Sequence, residues 1–317
     1  MSDHIHVGVD IGGTAIKVGI CNGNGDLLQT YEGPTEADQG TERVLDNIAK
    51  YARHIVEESA ASWDRVAGIG IGIAGFVDFD RGFIHSSANL PLLRNVPLKD
   101  HLEAALSKKV RVNNDANVAA LGEAWGGAGR GVSSVVCYTL GTGVGGGIVV
   151  NGRLIEGATG MAGEVGHMSI VPDLEAIQCG CGKMGCLETV SSATGIIRMA
   201  KDAVDRGDRT SLSVLEQLTA KDVIDAAKNG DEVAQRIVSR AAHYLGKSMA
   251  LVSVIVNPKR FIIGGGVSKA GEFLFSQIRE AFQKCALERA QDGVDIVAAE
   301  LGNNAGVVGA AGLTLQD

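Results

Sequence analysis

Apolar residues alternate with small or polar ones from Ile5 to Ile11 and again from Ile16 to Ile20, within the stretch IHVGVDIGGTAIKVGIC. A period of two is that of a strand with unlike faces, and Gly12-Gly13 between the runs supplies a turn, so a hairpin is predicted. A third strand is expected over Leu27 to Tyr31. The period then changes. From Gly40 to Ser62 the apolar positions Val44, Ile48, Tyr51, Ala52, Ile55 and Val56 fall at helical spacing and predict a helix. VAGIGIGIAG follows as a buried strand ending in a glycine turn. VRVNNDANVAALGEAWG reads as a strand to about Asn113, then a helix entered through Asn114 and Asp115. Asn and Asp are good N-cap residues, and capping alone is one account of that pair.

Strand character returns in SSVVCYTLGTGVGGGIVVNGRLI. Shifting the first hairpin by 129 positions places Gly12 on Gly141, Asn22 on Asn151 and Gly23 on Gly152 without a gap. Both copies read apolar strand, small-residue turn, apolar strand, Asn-Gly turn. The echo suggests two similar α/β halves, each offering a glycine hairpin to a shared cleft. Later segments are mostly helical. The longest run, Asp231 to Val256, carries one apolar stripe through Val233, Ile237, Ala241, Tyr244, Leu245, Met249 and Val252 and is stopped by Pro258. RFIIGGGVSKAGEF gives a strand, three glycines and a new helix, and a last helix is expected from Asn303 to about Leu315.

Composition narrows the class. The chain has 317 residues, 45% apolar and 21% charged, which suits a globular protein with one large or two ordinary domains. A net charge of −8 argues against a general electrostatic grip on nucleic acid or an anionic membrane. MSDHIHVGVD lacks the basic and apolar regions of a signal peptide, and no run of about 18 apolar residues occurs, so a cytoplasmic protein is expected. Structural disulfides are rare there. The 44 glycines are about twice the usual share and are clustered, as turns and close backbone approaches require.

Three clusters stand out: Asp10-Ile-Gly12-Gly13-Thr14, Leu140-Gly141-Thr142-Gly143 and Gly264-Gly265-Gly266. Backbone without Cβ atoms approaches a phosphate closely and aims N–H groups at it. None is a Walker loop, and G-x-G-x-x-G at Gly141, Gly143 and Gly146 runs on as a strand where a dinucleotide fingerprint needs a helix. Together the three turns point to a nucleotide. Thr14 and Thr142 offer hydroxyls to phosphate oxygens, and Asp10, at a strand end beside a glycine turn, suits Mg²⁺ held through water.

Three of the six cysteines lie within eight positions, in His167-x11-Cys179-x-Cys181-x4-Cys186. One His and three Cys make the closed tetrahedral set of structural zinc. Cysteines two apart are too constrained for an easy disulfide with each other, and the redox C-x-x-C is absent. Glu164 and Glu188 flank the cluster, and folding the loop around zinc brings both carboxylates towards one place. Two carboxylates beside an imidazole edge suit a polyol, whose hydroxyls they accept.

DIGGT, LGTGVGGGIVVNGRLIEGATGMAGEVGH and CGCGKMGCLE together resemble the ROK family of repressors and sugar kinases over essentially the whole chain. VNNDANVAALGEAWGGAGRG and SSATGI are most similar to its ATP-dependent glucokinases. The resemblance implies an actin-like, hexokinase-type α/β fold of two domains around a cleft, here residues 1–117 plus 303–317 and residues 118–302. It implies that Asp115 is the general base for the sugar 6-hydroxyl. Gly75, Asn89, Asn114, Asp115, Glu164, His167 and Glu188 would hold the sugar. Asp10, Gly12, Gly13, Thr14, Gly141, Thr142, Gly143, Gly265 and Gly266 would hold Mg-ATP, the last two near the nucleoside. His167 would bind zinc with one ring nitrogen and a sugar hydroxyl with the other. A homodimer or a dimer of dimers is implied.

Three departures bear on sugar preference. Ala74-Gly75 stands where these glucokinases commonly have Pro-Gly, Asn89-Leu-Pro-Leu where NLNW is frequent, and CGCG where CNCG is common. Kinases for mannose, fructose, allose or an N-acetylhexosamine, and polyphosphate as donor, are the neighbouring alternatives. The alternative of another class is a sugar-sensing repressor. It would carry a helix-turn-helix ahead of the kinase-like part, whereas the first strand here begins at about Ile5 and the chain is acidic.

Overall fold

The structure is a computed structural model and describes residues 4–87 and 89–316. The outermost ends of the expected domains, Met1 and Asp317, lie outside the described residues. Twelve strands and ten α-helices are described. In chain order they are β1 (Ile5–Ile11), β2 (Ala15–Cys21), β3 (Leu27–Pro34), α1 (Thr41–Glu58), β4 (Val66–Ile73), β5 (Phe76–Asp78), β6 (Phe83–Ser86), α2 (Leu98–Leu106), β7 (Val110–Asn114) and α3 (Asp115–Gly126). Then come β8 (Ser134–Leu140), β9 (Val144–Val150), β10 (Arg153–Leu154), α4 (Glu188–Ser191), α5 (Ala193–Asp205), α6 (Ala220–Lys228) and α7 (Glu232–Ser253). The last are β11 (Arg260–Gly264), α8 (Glu272–Cys285), α9 (Glu288–Gln291), β12 (Asp295–Ala298) and α10 (Ala305–Gly312).

The echo in the sequence is an echo in structure. The 129-residue shift carries β1 onto β8 and β2 onto β9 end for end. The first five-stranded sheet has the order β3-β2-β1-β4-β7 and the second β10-β9-β8-β11-β12, so each is a hairpin meander extended by two later strands on the same side. In the first sheet β1 and β2 are antiparallel, while β4 joins β1 and β7 joins β4 in parallel.

The contacts divide the chain into two compact units. Unit 1 is Met1–Val135, Gly147–Gly163 and Glu300–Asp317; unit 2 is Val136–Gly146 and Glu164–Ala299. By compactness the division falls elsewhere than at 117/118, which lies in the first turn of α3. Helix α10 explains this, since α3 and α10 touch backbone to backbone: a Cβ on Gly309 would lie 1.5 Å from the Val118 carbonyl oxygen, and one on Gly122 would lie 2.2 Å from that of Ala305. The segment 147–163 joins unit 1 for similar reasons. Gln316 accepts the Leu154 N–H (3.0 Å) and donates to the Gly152 carbonyl (3.0 Å).

The alternation in β4 acquires a reason here. Ile69, Ile71 and Ile73 point to one face and are fully buried. Gly68, Gly70 and Gly72 point to the other, where a Cβ on Gly70 would lie 1.7 Å from the Ala310 carbonyl oxygen. Gly8 in β1 does the same beneath Val307 (1.9 Å). Glycines on one face of two paired strands thus let α10 lie directly on the sheet, and that helix is buried along nearly its whole length. In unit 2 the long helix begins at Glu232, where Asp231 accepts the Ala234 N–H (3.0 Å) as N-cap, and crosses α8 closely at Gly246. Among the described residues no helix is long and apolar enough to cross a membrane.

Candidate active site

The expected site residues fall into two groups, one in each unit. In unit 1 the Gly12-Gly13-Thr14 turn is closed by the Gly12 N–H to the Ala15 carbonyl (2.9 Å). Thr35 braces it, its hydroxyl donating to the Gly12 carbonyl (2.8 Å) and its N–H to that of Thr14 (2.9 Å). Thr14 is exposed, and Gly13 lies against the backbone of Asn89. Asp10 ends on the face that meets α10, where its carboxylate occupies the place a Cβ on Gly306 would take (2.5 Å). Across the hairpin it pairs with Lys17, whose Nζ donates to Asn304 Oδ1 (2.6 Å). Burial, then the nearby Asp115 charge, pushes the Asp10 carboxyl up to about 6, against the opposing pull of Lys17.

Asn114 does cap α3: its Oδ1 accepts from the N–H groups of Ala116 (2.9 Å) and Asn117 (3.4 Å). Its Nδ2 faces the Gly75 carbonyl at 3.5 Å. Gly75 must be glycine, having φ +154° and the Ser86 carbonyl where a Cβ would stand (2.3 Å). Asp115 is not needed as a cap. One oxygen takes the Ala116 N–H (2.9 Å), and the carboxylate is open to solvent. Protein on its other sides still withdraws water, so burial raises its carboxyl above the ordinary range, against the lowering hydrogen bonds of the first α3 amides. Two neighbouring carboxylates, each disfavoured as an anion, are a donor set that fits a divalent cation at Asp10.

A stability test follows from Asp10. A carboxyl raised in the fold favours the protonated form, so its contribution to stability is present below about 3.8 and is lost as the pH rises through about 6. Asp10→Asn is therefore expected to be more stable than wild type at pH 8 by about 1–3 kcal/mol, the gap closing as the pH falls towards 4. Thermal unfolding of the two proteins from pH 4 to 8 reads this directly. A gap that does not change with pH would remove the assignment.

In unit 2 the Gly141-Thr142-Gly143 turn is closed by the Gly141 N–H to the Gly143 carbonyl (3.0 Å) and anchored by the Ala193 N–H to the Gly141 carbonyl (2.9 Å). Gly265, at φ +86°, lies on the backbone of Leu140, where a Cβ would come within 2.3 Å of the carbonyl oxygen. Two of the glycine clusters are thereby stacked, and both Gly141 and Gly266 face open space.

Gly143 has a further reason to lack a side chain, because the Glu188 carboxylate stands 2.2 Å from where its Cβ would be. That carboxylate accepts the Val144 N–H (2.9 Å). On its other side Val144 meets the turn that carries Glu164 and His167, with its carbonyl 1.9 Å from an imagined Cβ on Gly166. Glu188 and the Glu164–His167 turn are therefore both seated on Val144. Sequence reading gave no sign of this, since the contacts are to backbone. Lys17, Gly306 and Thr35 also went unnoticed. Only Lys17 carried a signal, being the cross-strand partner of Asp10 in a predicted hairpin.

The ligand atoms of His167, Cys179, Cys181 and Cys186 all lie within 4.8 Å of one another. Cys181 Sγ and Cys186 Sγ are 3.7 Å apart, and Cys179 Sγ is 3.7 Å from His167 Nδ1. Zn–S bonds of about 2.3 Å in a tetrahedron set a sulfur–sulfur edge of about 3.8 Å, so the donor set fits zinc in type, number and spacing. The ring turns Nδ1 to the sulfurs and Nε2 towards Glu164 Oε2 (3.8 Å).

Comparison with known proteins bears on these groups together. The ROK family model matches residues 6–317. The glucokinase of Halalkalibacterium halodurans is 44% identical over 320 residues, covering 100% of this chain and 96% of that protein. The crystal structure of the ROK hexokinase of Thermus thermophilus has a TM-score of 0.85 at 34% identity, covering 98% of this chain and 97% of that one. A ROK glucokinase from Streptomyces griseus, solved with glucose and AMPPNP, has a TM-score of 0.74 at 36% identity, covering 98% of each chain. The fold is thus the actin-like α/β fold of sugar kinases. This chain belongs to the ROK family.

Proposed function

We propose that this protein is an ATP-dependent glucokinase that transfers the γ-phosphoryl group of Mg-ATP to the 6-hydroxyl of glucose. The observation that carries the reading is the end-to-end likeness to glucokinases, one of them solved with glucose and a nucleotide analogue, in a chain that keeps Asp115. Asp115 Oδ2 takes the proton of the 6-hydroxyl as that oxygen forms its bond to the γ-phosphorus and the bond to the bridging oxygen of ADP breaks. A carboxylate is a weak base for an alcohol, so positioning and charge stabilisation supply most of the acceleration. Glu164 and Glu188 accept from sugar hydroxyls. His167, held through Nδ1, donates from Nε2, and Asn114, Gly75 and Asn89 complete the sugar contacts.

The N–H groups of the turns at Gly12-Gly13 and Gly141–Gly143, with the Thr14 and Thr142 hydroxyls, receive phosphate oxygens, and Gly265 and Gly266 leave room for the nucleoside. Mg²⁺, when bound near Asp10, supplies charge neutralisation to the phosphates. The active form is a cytoplasmic homodimer or a dimer of dimers.

ADP release from Mg-ATP, scanned over glucose, mannose, fructose, allose, N-acetylglucosamine and N-acetylmannosamine, tests the reading. Glucose is expected to have the highest kcat/KM. Preference for another of these sugars would keep the chemistry and assign the departures at Ala74 and Asn89-Leu-Pro-Leu to specificity. Absence of turnover on all six by folded, zinc-loaded protein would overturn the ATP-dependent reading and point first to a different phosphoryl donor, then to a sugar sensor.

A further inference from the structure

Unit 1 contains a cavity of about 660 Å³ that none of the roles above uses. It runs along β7, an edge strand of the first sheet. Its wall carries Arg153, which has a partner, the carboxylates Asp80, Glu103 and Glu156, and three further cations, Lys99, Lys109 and Arg111. Among the described residues none of these three cations makes an ion pair or a side-chain hydrogen bond. Two of the carboxylates are engaged. Glu103 Oε1 accepts the Val110 N–H (2.9 Å), and Glu156 Oε1 accepts from Asn113 Nδ2 (2.5 Å).

Cations gathered in one recess without a direct ion pair, Arg111 acting on Glu156 only at a distance, suit an anion. A phosphate monoester brings a charge of about −1.5 to −2 and three acceptor oxygens, and the guanidinium fork of Arg111 can take two of them. A bare anion would be repelled by Asp80 and Glu156. A ligand that also carries hydroxyls turns those carboxylates into acceptors. We propose that this cavity binds a phosphorylated polyol, with its phosphate on Lys99, Lys109 and Arg111 and its hydroxyls on Asp80 and Glu156. Burial, aided by Asp80, raises the Glu156 carboxyl and eases an anion's approach, with Asn113 and Arg111 pulling the other way.

The wall at Glu156 leads to α3. Asn113 is buried, and besides donating to Glu156 its Oδ1 accepts the Asn114 N–H (2.8 Å) and Asn117 Nδ2 (3.0 Å). Asn114 caps α3 and Asp115 is its first residue. A ligand hydroxyl that competes for Glu156 Oε1 releases one tie on Asn113 and so loosens the start of α3. Occupancy therefore lowers kcat. This coupling rests on the role proposed for Asp115; binding does not.

Calorimetric titration with sorbitol 6-phosphate tests the site, because an open-chain polyol offers no ring to a hexose site. One molecule is expected per chain. Lys109→Ala/Arg111→Ala, both exposed positions, should keep the melting temperature and weaken binding about tenfold or more. Sorbitol and inorganic phosphate should each bind about tenfold more weakly than the ester. No binding to wild type, equal affinity in the double variant, or phosphate binding as tightly as the ester would each overturn the proposal. Sorbitol 6-phosphate should also lower the kcat of wild type and not that of the double variant. If no sugar is turned over, the coupling falls with the kinase reading, while the binding measurement still decides the site.

Discussion

Asp115→Asn is expected to lower kcat for sugar phosphorylation about 10²–10⁴-fold while leaving the fold intact. The two effects separate because the carboxylate has little structural work. Asn114 already caps α3, and the bond that Asp115 accepts from the Ala116 N–H can be taken equally by an amide oxygen. Removing the charge also relieves Asp10, whose carboxyl is raised in part by Asp115. The melting temperature should thus hold or rise at neutral pH. What is lost is a group able to accept the 6-hydroxyl proton, worth roughly 3–5 kcal/mol of barrier at 1.36 kcal/mol per decade. Sugar binding should change much less, since an amide keeps an oxygen for the 6-hydroxyl and the other proposed hydroxyl contacts lie on other residues.

Saturating ADP-release kinetics and calorimetric titration with glucose read both quantities. A kcat within tenfold of wild type would remove Asp115 from the base role. The pH profile gives a second check. The base must be ionised, so wild-type activity is lost as the pH falls through a value above the ordinary carboxylate range. The residual activity of Asp115→Asn should lack that limb.

Much of this site was legible because its parts are local in sequence. The hairpins announced themselves by alternation and glycine turns, and one shift of 129 positions carried both strands of the first onto the second. The metal cluster was legible because unusual residue types stand close together. What was hidden depends on backbone or on distant partners of ordinary type. Val144 joins Glu188 to the Glu164–His167 turn through its N–H and carbonyl, and any residue has those. The alternating glycines of β4 read as a buried strand, but nothing in them named α10, some 240 residues on, as the element they admit. The α3–α10 contact, which joins segments far apart in the chain, was hidden for the same reason. Glu156 and Asn113, 43 positions apart, are an unremarked pair until the fold joins them.

Cys181→Ser is expected to take zinc from about one ion per chain to near none and to raise the KM for glucose far more than it lowers kcat. The choice of residue decides what the experiment reports. Cys179 and Cys186 are buried, and trimming them would disturb packing as well as ligation, whereas Cys181 is exposed. Its loss therefore acts through the metal. Structural zinc in small metal-bound modules contributes about 10–16 kcal/mol, and the loop from Ile177 to Gly185 has few apolar side chains with which to hold its shape instead. Without the ion, His167 Nδ1 loses its partner and the ring is no longer fixed with Nε2–H outward. Cys186, two residues before Glu188, is released at the same time. The turn bearing Glu164 and the carboxylate of Glu188 then keep their seats at Val144 and the bond from the Leu187 N–H to the Met168 carbonyl (2.9 Å), without the metal that tied them together. Asp115 belongs to the other unit and keeps its own supports, so the chemical step on bound sugar should persist. Elemental analysis beside steady-state kinetics separates the outcomes. A variant that still carries one zinc per chain would refute the ligand set. A variant that loses zinc but keeps the wild-type KM would show that the metal holds only its own loop, and that the backbone contacts suffice to seat the carboxylates proposed to bind sugar.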